Sequence, residues 1–121
     1  MAPDDEVLGQ YRETGVLLWR GFTIDQVIAQ AFGNADDHAT KGRQMPVHLG
    51  SKEHHFHPIS STLATQIPQA AGVGYALKRD PNRQGKNCAV CYFGEGNERA
   101  PLNVKLASLV LTLEFFFLHR V

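Results

Sequence analysis

The six residues Cys88-Ala-Val-Cys-Tyr-Phe93 carry no charge and stop at Gly94-Glu95-Gly96. An unbroken apolar run of this length, bounded by turn residues, reads as a strand buried on both faces, and such strands belong to parallel sheets covered by helices. Just upstream, Asp80-Pro-Asn-Arg-Gln-Gly85 is a turn by composition. Before it, residues 65–78 place Ile67, Ala70, Ala71, Tyr75 and Leu77 at helical spacing, with Pro68 tolerable in a first turn. Helix, polar turn, buried strand and glycine loop in that order predict an α/β fold with a parallel sheet flanked by helices. Ligands of such sheets sit beyond the C-terminal ends of the strands, which points to the glycine loop.

Other stretches say less about architecture. Thr23-Ile24-Asp25-Gln26 is a capping box, and Ile24, Val27, Ile28, Ala31 and Phe32 then form one apolar face ended by Gly33, predicting a helix over 24–32. The run Val16-Leu-Leu-Trp19 fits strand or helix equally. Residues 34–61 have no sustained period and read as a long irregular segment. Residues 106–118 are mostly apolar but fall short of the roughly 20 residues that a bilayer crossing needs. They read as a core piece or an unnatural tail.

The length of 121 residues allows one domain or part of one. Twelve Lys and Arg balance twelve Asp and Glu, so no global field gathers nucleic acid or an anionic membrane. Two cysteines are too few for a disulfide scaffold. The acidic start, Met1-Ala-Pro-Asp-Asp-Glu6, matches neither a signal peptide nor an Arg-rich transit peptide.

Among candidate constellations, Cys88 and Cys91 have redox or zinc spacing, yet in a strand residues three apart face opposite sides, so core packing is the better reading. His48, His54, His55 and His57 lack the companions of a metal set and suit loop ordering, a ligand phosphate or plain surface positions. Lys41 and Arg43 around Gly42 suit an anion or plain solvation. Gly94-Glu95-Gly96 combines close backbone approach with a carboxylate able to hold Mg²⁺.

Four strings are more specific than any single motif: Gly9-Gln-Tyr-Arg-Glu13, Lys41-Gly-Arg-Gln-Met-Pro-Val-His48, Ile59-Ser-Ser-Thr-Leu-Ala-Thr-Gln-Ile-Pro-Gln69 and Cys91-Tyr-Phe-Gly-Glu-Gly96. In this order they resemble the alpha-subunit family of the branched-chain 2-oxo acid dehydrogenase decarboxylase. The resemblance implies a partial, truncated thiamine diphosphate-binding domain over 1–96 and a divergent apolar tail over 97–121. It further implies a beta subunit in an alpha2 beta2 assembly, a lipoyl-bearing acyltransferase core as acyl acceptor, and the mitochondrial matrix as compartment. The activity implied is oxidative decarboxylation of the 2-oxo acids from Leu, Ile and Val. A non-catalytic fragment that docks a beta subunit is the alternative.

By the same resemblance, Tyr11 and Arg12 match residues that reach the cofactor diphosphate, and Ser61 and Leu63 match residues lining thiamine diphosphate. Ser60, Thr62, Thr65 and Gln66 match oxygen donors of a K⁺ site, with Thr62 standing where the family usually has proline. Glu95 matches a Mg²⁺ ligand flanked by Gly94 and Gly96. The Asn-Asn pair that completes the family's metal site does not follow; Asn97-Glu-Arg-Ala-Pro101 stands there instead. The resemblance therefore implies that this chain alone is incomplete for catalysis.

Overall fold

The computed structural model describes residues 1–94 in full and 116–119 as backbone. Four strands, β1 (Glu6–Leu8), β2 (Phe56–His57), β3 (Ala89–Phe93) and β4 (Phe116–His119), form one sheet in the order β2-β1-β3-β4. Every pairing is parallel, with Val7 opposite both Phe56 and Val90, and Val90 opposite Phe116. The chain is therefore α/β with a parallel sheet, as the buried run at 88–93 predicts.

Helices cover both faces because side chains alternate along each strand. On one side Leu8, Ala89, Cys91 and Phe93 meet Ile67, Ala70 and Leu77 of α3 (Gln66–Arg79). Small residues allow that approach: Ala70 is fully buried and Gly74 is buried, while Pro68 sits exposed in the first turn. On the other side Val7 and Phe56 pack with Leu17, Phe22, Leu49 and Ile59. Burying a large apolar side chain of this kind contributes about 1.5–3 kcal/mol.

The ambiguous run at 16–19 is helical, within α1 (Thr14–Trp19). The helix α2 (Ile24–Phe32) has the expected bounds: Thr23 accepts from the Gln26 N–H, Gln26 reaches back to the Thr23 N–H, and Gly33 closes the end at φ 61°. Of its expected apolar face, Val27 packs against the core and most of the rest does not. Ile24 and Ile28 face outward and Phe32 is 80% exposed, as is Trp19 at 88%. The buried residues are Ala29 and Gln30; Gln30 donates Nε2 to the Met45 carbonyl at 2.9 Å, and its Oε1 has no partner among the described residues.

The segment 34–61 is irregular as expected, yet it holds β2 and a bridge between Ser51 and Phe56. It is pinned by close approach: a Cβ on Gly50 would lie 2.7 Å from the Cα of Pro58. Asp37 further ties it down, accepting from the N–H groups of Thr40 and Gly42 and from the Thr40 hydroxyl. Among the described residues no helix is long and apolar enough to cross a membrane.

Candidate functional site

Parallel strands all end on the same side of the sheet, so the chain leaving Leu8, His57 and Phe93 enters one shared edge. The loop after β1 carries Gln10, Tyr11 and Arg12. The loop after β2 carries Ser60, Ser61, Thr62 and Leu63, and Gly94 follows β3 directly. A Cβ on Gly94 would meet no atom of the described residues within 4 Å.

Hydrogen bonds join these loops. The Tyr11 hydroxyl donates to the Ser61 carbonyl at 2.6 Å. The Ser61 hydroxyl lies 2.6 Å from Nε2 of His48, whose Nδ1 is 3.0 Å from the Pro46 carbonyl. The Tyr11 and His48 rings meet edge to face, centroids 5.4 Å apart. Gln66, 4% exposed in the first turn of α3, donates Nε2 to Gln10 Oε1 at 3.1 Å and to the Tyr92 carbonyl at 3.0 Å. One buried amide thus fastens the loop after β1 and the end of β3 to the helix that follows β2. The β1 loop is also held by its own turn, with the Gln10 N–H donating to Glu13 at 2.7 Å.

The residue set expected from sequence is brought together in part. Tyr11 and Ser61 touch, and Gln66 sits at their base. Arg12, Thr62 and the 60%-exposed Leu63 face solvent around them, and Ser60 and Thr65 are half-buried. Glu95 and Gly96 lie outside the described residues. His48, which the sequence groups with histidines suited to loop ordering or a ligand phosphate, is brought to Ser61 by tertiary packing. Burial and the charge of Glu13 push up the ionisation of Tyr92 and of Cys91, the latter to about 12. Both stay neutral and serve the core.

The other three histidines of that group, His54, His55 and His57, serve other ends. His54 Nδ1 pairs with the Ser51 hydroxyl at 2.8 Å. His55 and His57 each lie 3.1 Å from Glu6, at the start of β1, and Arg83 is 2.9 Å from the same carboxylate. A hollow of about 250 Å³ opens there, between Glu6, Arg83 and the Val73–Leu77 side of α3, away from the loops just described. No group of three or more His, Cys, Asp or Glu suited to a metal ion occurs among the described residues.

A family model described as the dehydrogenase E1 component matches residues 1–100. The mitochondrial 2-oxoisovalerate dehydrogenase subunit alpha 1 of Arabidopsis thaliana is 55% identical over 96 residues, covering 79% of this chain and 20% of that protein. The corresponding mitochondrial alpha subunit of Caenorhabditis elegans is 53% identical over 96 residues, 79% of this chain and 22% of that protein. That of Homo sapiens is 55% identical over 92 residues, 76% of this chain and 20% of that protein. The chain thus spans about a fifth of the length of these relatives.

Proposed function

This chain belongs to the dehydrogenase E1 component family, and from that premise we propose that it is the part of a branched-chain 2-oxo acid dehydrogenase alpha subunit that helps to hold thiamine diphosphate. The observation that carries the reading is the contact between Tyr11 and Ser61. Two residues that the sequence resemblance assigns to one cofactor come from loops some fifty positions apart, yet meet where a parallel sheet binds its ligands.

Thiamine diphosphate, when bound, supplies the electron sink that decarboxylation of a 2-oxo acid requires. The chain's own residues supply the surroundings. Arg12, exposed beside the loop, offers a planar cation for the diphosphate. Leu63 presents an uncovered aliphatic surface for a ring. Gly94 adds no side chain of its own, and the Mg²⁺ role falls to Glu95, between Gly94 and Gly96. For K⁺, the donors proposed are oxygens of Ser60, Thr62, Thr65 and Gln66. Their segment includes Ala64, whose φ is +67°. The functional domain is taken as residues 1–96.

The proposed reaction is oxidative decarboxylation of branched-chain 2-oxo acids with acyl transfer to a lipoyl carrier. The partners are a beta subunit and the acyltransferase core, in the mitochondrial matrix. The Arabidopsis, worm and human relatives are named as mitochondrial 2-oxoisovalerate dehydrogenase subunits, which supports all three. Calorimetric titration of thiamine diphosphate with Mg²⁺ into the chain, alone and co-expressed with a 2-oxoisovalerate dehydrogenase beta subunit, tests the reading. Micromolar, Mg²⁺-dependent binding by the pair is expected. A folded pair that takes up no cofactor would leave only the docking role.

A further inference from the structure

We propose that the hollow between α3 and the β1–β2 side of the sheet is a binding site for a small aliphatic α-amino acid, taken up as a zwitterion with its side chain against α3. The inference stands on this hollow alone and does not depend on the cofactor reading.

Strand register puts the polar floor in place. Glu6 alternates with Val7 to share the face of Leu8, and His57 is the cross-strand partner of Leu8, so both side chains lie on the face that α3 covers. Val73, Ala76 and Leu77 of α3 form the apolar wall, and Asp80 and Arg83 stand at and just beyond the end of that helix. The volume of about 250 Å³ is room for roughly eight waters at about 30 Å³ each, enough for a molecule of leucine's size.

Hydrogen-bond accounting gives the chemistry of the guest. Arg83 spends three of a guanidinium's five N–H groups, on Glu6 at 2.9 Å, on the Asp4 carbonyl at 2.5 Å and on Asn87 at 3.4 Å. Five less three leaves two, one on each terminal nitrogen, and such a fork takes a carboxylate. His57 donates Nε2–H to Glu6, 3.1 Å away, because an ionised carboxylate only accepts; the neutral ring then carries a lone pair on Nδ1. Asp80 accepts the Asn82 N–H on Oδ1 at 2.9 Å, while its Oδ2 has no partner among the described residues. The charge of Arg83 is met by Glu6, so Asp80 is the charge left over at the rim, and it asks for a cation. A plain anion would meet that carboxylate, and a plain amine would leave the Arg83 fork unused. An ammonium, a carboxylate and an aliphatic side chain carried on one carbon answer all three surfaces.

Methyl NMR of the 121-residue chain, titrated with L-leucine, reads the site through Val73 and Leu77. Saturable shifts of those methyls are expected, with a dissociation constant of about 0.1–1 mM. Isoamylamine, which lacks the carboxylate, and isocaproate, which lacks the ammonium, should each bind at least about 10-fold more weakly. Asp80→Asn keeps the acceptor for the Asn82 N–H and should weaken leucine by about 10-fold. Ala76→Leu, at an exposed position on the wall, should fill the hollow and abolish the shifts. If Asp80→Asn does not fold, Ala76→Leu carries the test. Val73 and Leu77 methyls of the wild type that ignore leucine, equal affinity for the three compounds, or binding unchanged in either variant overturns the proposal.

Discussion

Arg83 places Nη1 2.9 Å from Oε1 of Glu6, joining the loop after α3 to the first residue of the central strand. Burial works against the charged carboxylate, but the Arg83 hydrogen bond, His55 and His57 outweigh it and hold Glu6 below its ordinary 4.5. A depressed folded-state value means that the stabilisation is present above the unfolded value and is lost as pH falls through the folded one. Melting temperature should therefore drop as pH is lowered below about 4.5. Glu6→Gln should flatten that acid limb and cost about 1–2 kcal/mol at neutral pH. Thermal denaturation from pH 3 to pH 7 reads both; an unchanged acid limb in the variant would show that other carboxylates govern it.

Gly50 has no room for a methyl group. Its Cβ would stand 2.7 Å from the Cα and 2.9 Å from the nitrogen of Pro58, and backbone cannot swing aside as a side-chain tip can. Gly50→Ala should destabilise by about 1–3 kcal/mol, seen as a lower urea midpoint. It should also loosen the link between Leu49 and Ile59, whose backbone hydrogen bond is 3.1 Å.

At the start of α2 the capping box makes a smaller prediction. Thr23→Ala removes the acceptor for the Gln26 N–H and should cost about 1 kcal/mol. Thr23→Ser should cost less, because the hydroxyl is kept. Equal stability of Thr23→Ala and wild type in chemical denaturation would contradict a structural role for the box.

The two thiols should differ in reactivity. Burial, reinforced by the charge of Glu13, pushes Cys91 up to about 12, and no thiolate forms near pH 8. Cys88 is half-buried, and burial and the Asp5 carboxylate raise its value too. Iodoacetamide followed by mass spectrometry should modify Cys88 slowly and Cys91 only on unfolding. Matching rates for the two would mean that β3 opens readily.

What the sequence reveals tracks how local the cause is. The ends of α2 are legible because the capping box and Gly33 lie within the helix's own turns. The helix over 65–78 appears as α3, displaced by one residue at each end. The strands β1 and β2 are not legible: three and two residues carry no period, and pairing with distant chain defines them. Nor can periodicity say which way a face points, and Ile24, Ile28 and Phe32 turn outward. In the site, the strings name Tyr11, Ser61 and Gln66, but only tertiary packing shows that His48 reaches Ser61.

Placing the earliest strand at the middle of the sheet has a consequence for synthesis. When Val7 leaves the ribosome, neither neighbour exists; Phe56 comes later and Val90 later still. The edge of β1 that faces β2 stays open until Phe56 is made and the edge that faces β3 until nearly all of residues 1–94 has been made, and closing such distant pairs is slow. During that interval a chaperone that shields β1 would have the most to protect.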